Sequence, residues 1–140
     1  MKFYDNKDLI HIYGITQDPI TKEYIFVMSY MEDGSLQNYL TKDFKNLKWE
    51  NKIEILYYII NGLKNIHDKE IIHHDLHSGN ILQEKGNMYS YIADLGLSCP
   101  ASQTSISSKN DIFGVLPYVA PEVLRDKPYT MASDIYSFGV

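Results

Sequence analysis

One ten-residue run limits what this chain can fold into: His73-His74-Asp75-Leu76-His77-Ser78-Gly79-Asn80-Ile81-Leu82. An apolar pair, Ile71-Ile72, precedes it, and another, Ile81-Leu82, ends it. Buried flanks place the three His, the Asp and the Asn beside the core, where an unpaired polar group costs about 1–3 kcal/mol. A polar loop clamped between two buried ends is a rigid platform for chemistry.

Two readings of the run compete. As a metal site, His73, His74, Asp75 and His77 supply ligand types, but so many ligands in so short a stretch strain to converge on one ion. As a phosphoryl-transfer site, Asp75 is the base and Asn80 a magnesium ligand. The second pattern resembles the protein-kinase catalytic loop, H-R-D-L-x-x-x-x-N. Downstream markers follow in that family's order. Asp94-Leu95-Gly96 stands at D-F-G, Ala120-Pro121-Glu122 is an unaltered A-P-E, and Ser133 to Val140 resembles the start of the buried central helix. The chain is similar to the eukaryotic protein kinase superfamily, in its Ser/Thr or tyrosine-kinase-like group, over essentially all 140 residues.

The resemblance implies an α+β, protein-kinase-like fold in truncated form. Residues 1–31 would be a remnant of the β-rich small lobe with the hinge, and residues 32–140 an incomplete, mostly helical large lobe ending in the central helix. It also implies ATP and Mg²⁺ as cofactors and a protein hydroxyl, of Ser/Thr type, as acceptor. On matching positions, Asp75 would orient that hydroxyl and take its proton. His77 stands where a Lys usually contacts the γ-phosphate. Asn80 and Asp94 would hold the magnesium. Met28 would be the gatekeeper of the adenine pocket, Ser29, Tyr30 and Met31 the hinge, and Leu82 the floor under adenine. His73 and Leu95 would stack in a structural spine, and Asp134 would anchor the backbone around His73 and His74.

One argument needs no family. Ile81-Leu82-Gln83 and Tyr91-Ile92-Ala93 flank a turn at Lys85-Gly86-Asn87 and read as a hairpin. A turn centred near Asn87 makes paired positions sum to about 174. Asn80 then lies opposite Asp94, bringing two hard oxygen donors to the open end of the hairpin, as Mg²⁺ prefers. A bulge would shift the pairing by one residue.

Along the chain, residues 9–13 read as a strand, Asp18-Pro19 as a turn, and Tyr24 to Met28 as a second, buried strand. Ser35 caps a short helix through Leu40. Leu47 to His67 is the strongest helix, with Ile53, Leu56, Ile60 and Leu63 as its buried stripe, widened by Ile55, Ile59 and Ile66. Trp49 reads as a packing anchor, with Lys52 and Lys64 on the solvated side. Ser98 to Asp111 is a polar loop. Ser102, Thr104, Ser105, Ser107 and Ser108 are phosphosite candidates there, or the loop is merely solvated. A short helix is expected from Pro121 to Leu124, and Ser133 as cap of the last helix.

Composition closes off some classes. A net charge of −5 disfavours nucleic acid and anionic membrane as partners. No apolar run is long enough for a membrane span. The single Cys99 allows no internal disulfide and suits a cytoplasmic, reducing compartment.

Departures from the family pattern weigh on mechanism. His74 replaces the Arg that pairs with an activation-segment phosphate, His77 replaces a Lys, and Val115 stands where Ser/Thr kinases carry Thr. No G-x-G-x-x-G, no V-A-I-K strand and no Glu-bearing helix before the first strand occur. The expectation is a partial catalytic domain, inactive alone, with a pseudokinase-like binding module as the alternative.

Overall fold

The computed structural model describes residues 9–103 and 114–140. Among these, three α-helices and six short strands, paired as three two-stranded sheets, make up the fold. Strands β1 (Ile12–Gln17) and β2 (Tyr24–Met28) form an antiparallel hairpin. Asp18 shapes its turn, the carboxylate accepting the N–H groups of Ile20 at 2.7 Å and Thr21 at 2.8 Å. The first strand begins at Ile12 rather than residue 9, because Leu9 is buried and bridges to Ile92 in another sheet. The expected burial of β2 is overturned: all five of its residues are exposed. Its β-branched and aromatic content favours an extended backbone, but among the described residues this ribbon has no layer packed on it.

Helix α1 (Leu36–Asp43) starts at Ser35, whose hydroxyl accepts the Asn38 N–H at 3.3 Å, and continues past the expected end at Leu40. Helix α2 (Trp49–His67) begins two residues later than expected and buries the expected widening residues together with Leu63, but not Ile53 and Leu56. Ile55, Ile59, Leu63 and Ile66 face the core, whereas Ile53 is 49% and Leu56 42% exposed. Both rows obey helical spacing, so periodicity alone does not choose between them. The packing of strands β3 (Ile71–Ile72) and β5 (Ser90–Ile92) on α2 makes the choice. Trp49, read as an anchor, is 70% exposed on the first turn, ahead of the buried row. Lys52 is not simply solvated: its ammonium lies 4.2 Å from the Phe44 ring centroid.

Strand β4 (Ile81–Gln83) pairs with β5 as expected, but in the register Ile81–Ile92, Leu82–Tyr91, Gln83–Ser90. Paired positions therefore sum to one less than the expected 174. A buried polar pair helps to hold this register. The Ser90 hydroxyl donates to Gln83 Oε1 at 2.8 Å, and Gln83 Nε2 donates to the Asn87 carbonyl at 3.0 Å. Strand β6 (Cys99–Pro100) pairs with β3, so the start of the polar segment is not a free loop. A 3₁₀ turn, Ala101–Gln103, contains Ser102 and follows directly. Thr104, Ser105, Ser107 and Ser108 lie outside the described residues.

The helix expected at Pro121–Leu124 is a 3₁₀ turn, Val123–Arg125. Helix α3 (Met131–Gly139) is capped by Thr130, not Ser133. Ser133 occupies the third helical position of a capping box, accepting the Thr130 N–H at 3.0 Å while Thr130 Oγ1 accepts the Ser133 N–H at 3.3 Å. The main core joins Leu36, Ile59, Leu63, Leu76, Ile81 and Ile92. Among the described residues, no helix is long and apolar enough to cross a membrane.

These assignments fix which face of α2 matters. Leu63→Ala removes a side chain with no exposed surface and is expected to cost about 2–5 kcal/mol. Leu56→Ala should stay within about 0.5 kcal/mol. Urea unfolding of the two variants measures this, and the reverse ranking would reassign the core face.

Candidate active site

The loop at residues 73–80 is held from beneath by a buried carboxylate. Asp134, in the first turn of α3, is 1% exposed. A carboxylate taken out of water needs full hydrogen bonding. Asp134 Oδ2 accepts the His73 N–H at 2.8 Å and Oδ1 accepts the His74 N–H at 3.1 Å. His67 Nε2, at the end of α2, donates to Oδ2 at 2.8 Å. The family resemblance pointed to the two amides. It missed His67, which in sequence is only a polar residue in a helix's last turn. His74 has φ of 72°, a left-handed conformation that is strained for a non-glycine residue, and its bond to Asp134 helps keep it there.

His73 is fully buried, and both ring nitrogens are engaged. Nε2–H donates to the Ala93 carbonyl at 3.1 Å, and Nδ1 accepts the Asp75 N–H at 3.3 Å. Burial lowers its pKa, which keeps the ring neutral. Leu95 packs on the edge of the same core. Burial also lowers the pKa of His74, whose ring stacks on Tyr129 at 4.5 Å with Nε2 3.4 Å from Cys99 Sγ. The Cys99 thiol is pushed up by burial. With these rings committed, the three-histidine metal reading fails. Among the described residues, no group of three His, Cys, Asp or Glu side chains is placed to hold a metal ion.

Asp75 and Asn80 are locked together. Asn80 Nδ2 donates to the Asp75 carbonyl at 2.9 Å and to its Oδ2 at 3.1 Å. Asp75 Oδ1 is buried and has no hydrogen-bond partner among the described residues. His77 Nε2 lies 3.6 Å away, close for two polar atoms but beyond hydrogen-bond reach. Gly114, at φ of +102°, covers this oxygen, and a Cβ there would stand 3.2 Å from it. No sequence pattern pointed to that close approach.

The expected pairing of Asn80 with Asp94 is corrected by one residue. The Ala93 N–H bonds the Asn80 carbonyl at 2.9 Å, and Asp94 follows in the left-handed region at φ of 56°. That turn sends its Oδ1 onto the Gly96 N–H at 3.2 Å. Asn80 and Asp94 nevertheless line one cleft, together with Met28, Ser29, Tyr30, Met31 and Leu82. Asp75 and His77 do not line it; Asp75 adjoins it through Asn80. The donor set fits magnesium. Both Asn80 amide bonds leave through Nδ2, freeing the amide oxygen, and Asp94 Oδ2 has no hydrogen bond among the described residues. Hard oxygens of this kind suit an ion that completes its shell with phosphate and water.

A pH dependence follows from His73. Its pKa is lowered from the ordinary 6.5, so the folded state binds fewer protons than the unfolded state below that value. The stability it contributes is complete above pH of about 6.5 and is lost as pH falls through the folded pKa. Thermal melting across this range should show the loss. His73→Gln, which keeps a donor for Ala93 and takes up no proton, should make it shallower; an unchanged slope would contradict the assignment.

Comparison with known proteins shows the family. The family model described as protein tyrosine and serine/threonine kinase matches residues 1–140. The serine/threonine/tyrosine-protein kinase HT1 of Arabidopsis thaliana is 35% identical over 118 residues, covering 84% of this chain and 30% of that protein. The LRR receptor-like serine/threonine-protein kinase ERL1 of the same plant is 34% identical over 142 residues, covering 96% of this chain and 14% of its own length. The serine/threonine-protein kinase-like protein CCR4, also from that plant, is 32% identical over 147 residues, covering all of this chain and 19% of its own length. The chain thus spans less than a third of each of these relatives. With the family model matching end to end and the loop, hairpin and α3 in the arrangement described, this chain belongs to the protein tyrosine and serine/threonine kinase family.

Proposed function

We propose that this chain forms part of the catalytic domain of an ATP-dependent protein kinase, transferring the γ-phosphoryl group to a protein hydroxyl of Ser/Thr type. The observation that carries the reading is the state of Asp75. One carboxylate oxygen is fixed by Asn80, and the other is buried with no hydrogen-bond partner among the described residues. A substrate hydroxyl is the group such an oxygen lacks.

In this reading the hydroxyl donates to Asp75 Oδ1, and its proton passes there as the oxygen–phosphorus bond forms. The bond from phosphorus to the bridging oxygen of ADP breaks, and ADP leaves with that electron pair. Phosphoryl transfer asks little covalent chemistry of the protein, so orientation by Asp75 and Asn80 is the main contribution. Asn80 and Asp94 would hold Mg²⁺, which when bound neutralises charge on the phosphates. The adenine would lie over Leu82 and against the strand end at Met28. There the Ser29 N–H already bonds the His11 carbonyl at 2.9 Å, which positions the hinge backbone from Ser29 to Met31. Residues 1–31, of which 1–8 lie outside the described residues, would then belong to the small lobe and hinge, and residues 32–140 to the large lobe. A free thiol at Cys99 and the need for ATP suit a cytoplasmic setting.

His74 bears on regulation. Held neutral, half-buried and stacked on Tyr129, it offers no charged fork for an activating phosphate. A second reading, a pseudokinase-like non-catalytic binding module, is favoured by one observation: His74 and His77 stand where the family carries Arg and Lys.

Phosphate transfer by the full protein with Mg-ATP separates the two. Asp75→Asn should lower transfer by about 10²–10⁴-fold and leave nucleotide affinity near that of the parent. Nucleotide binding with no transfer by the parent protein would support the binding module instead.

A further inference from the structure

We propose that Gly79 is a positioning residue, which holds the His77 ring so that its Nε2–H is aimed at Oδ1 of Asp75. The inference rests on the reading of Asp75 as the base.

The Gly79 N–H donates to His77 Nδ1 at 3.0 Å. A ring nitrogen that accepts a hydrogen bond carries no proton, so in this geometry the ring hydrogen sits on Nε2. Nε2 is the atom 3.6 Å from Asp75 Oδ1, the buried carboxylate oxygen with no hydrogen-bond partner among the described residues. That separation is too long for a hydrogen bond, but catalytic contacts often tighten only when substrate binds. On its other side the ring faces Tyr118, with centroids 5.9 Å apart, and the Tyr118 hydroxyl lies 3.1 Å from Ser78 Oγ.

The absence of a side chain at residue 79 has a single structural reason. Its backbone lies outside the left-handed region, unlike Gly34, Gly86 and Gly114, so the conformation itself does not require glycine. The His77 ring does. A Cβ on residue 79 would stand 2.6 Å from His77 Cε1 and 2.8 Å from Nδ1, closer than real atoms approach. A methyl group there must rotate the ring and break the bond that sets its tautomer. His77 thus acts differently from a lysine at the same place. It is not a mobile ammonium but a ring fixed in place as an Nε2–H donor, set by a residue two positions on. One carboxylate oxygen of Asp75 is then oriented by Asn80 and the other by His77.

Imidazole nitrogen NMR and phosphate-transfer kinetics on the full protein test this together. The His77 signals should show the Nε2–H form in the parent protein and lose that pattern in Gly79→Ala. Gly79→Ala and His77→Leu should each lower kcat on the order of 10²-fold with little change in the KM for ATP. His77→Gln carries its N–H₂ near the position of Nε2 and should keep kcat within about tenfold of the parent. In the His77→Gln background, Gly79→Ala should add almost nothing, since no ring remains to displace. Unchanged ring signals in Gly79→Ala, His77→Gln as slow as His77→Leu, or an undiminished effect of Gly79→Ala in the His77→Gln background would each overturn the proposal. If the parent transfers no phosphate, the catalytic reading of Asp75 fails, while the ring signals still decide whether Gly79 sets the tautomer.

Discussion

A single carboxylate joins the parts of this molecule that matter. Asp134 reaches from the first turn of α3 into the core and takes hydrogen bonds from two loop amides and from the ring of His67. A buried acidic group is unfavourable until its lone pairs are filled, so it dictates where those donors must be. The loop cannot drift without leaving Asp134 unsatisfied, and α3 cannot shift without pulling on the loop. His74 stays in its left-handed conformation through this grip. Asp75, the next residue, inherits its place from both neighbours, with its own N–H on the ring of His73.

From there the order passes to the cleft through one side chain. Asn80 gives both of its amide hydrogen bonds to Asp75 and its carbonyl to Ala93. It therefore couples the loop to the β4–β5 hairpin and, one residue on, to Asp94. The amide orientation is not arbitrary. Pointing Nδ2 at Asp75 turns the oxygen toward the role that a cation needs. Among the described residues the same arrangement leaves Asp75 Oδ1 with no hydrogen-bond partner, an unusual condition for a buried oxygen and one that, in the proposed function, a substrate hydroxyl would relieve.

Much of this was legible in the sequence, for identifiable reasons. The loop's polar residues between apolar pairs, the hairpin and the later markers carry strong local signals. The grip of Asp134 on His73 and His74 followed from family resemblance alone, since nothing local links residues so far apart. Other features depended on packing. Ile53 and Leu56 of α2 are exposed because adjacent rows have the same period, and only the strands beneath select the row of Ile55, Ile59, Leu63 and Ile66. Tyr24 to Met28 has the composition of a buried strand, yet burial depends on what covers it. The hairpin register slipped by one because the turn, closed by the Glu84 N–H on the Tyr89 carbonyl, centres between Gly86 and Asn87 rather than on Asn87. His67 on Asp134, Cys99 against His74 and the His77 ring over Gly79 join or orient groups by geometry that spacing does not encode.

The central claim is that Asn80 and Asp94 line, and Asp75 adjoins, one site for a nucleotide and its metal. Paramagnetic broadening by Mn²⁺ in place of Mg²⁺ measures this directly, because the effect falls steeply with distance. With ATP present, Mn²⁺ should broaden the amide signals of Asp75, Asn80 and Asp94 together, and do so much less without nucleotide. Broadening that spares these three, or that centres elsewhere on the chain, would contradict the account.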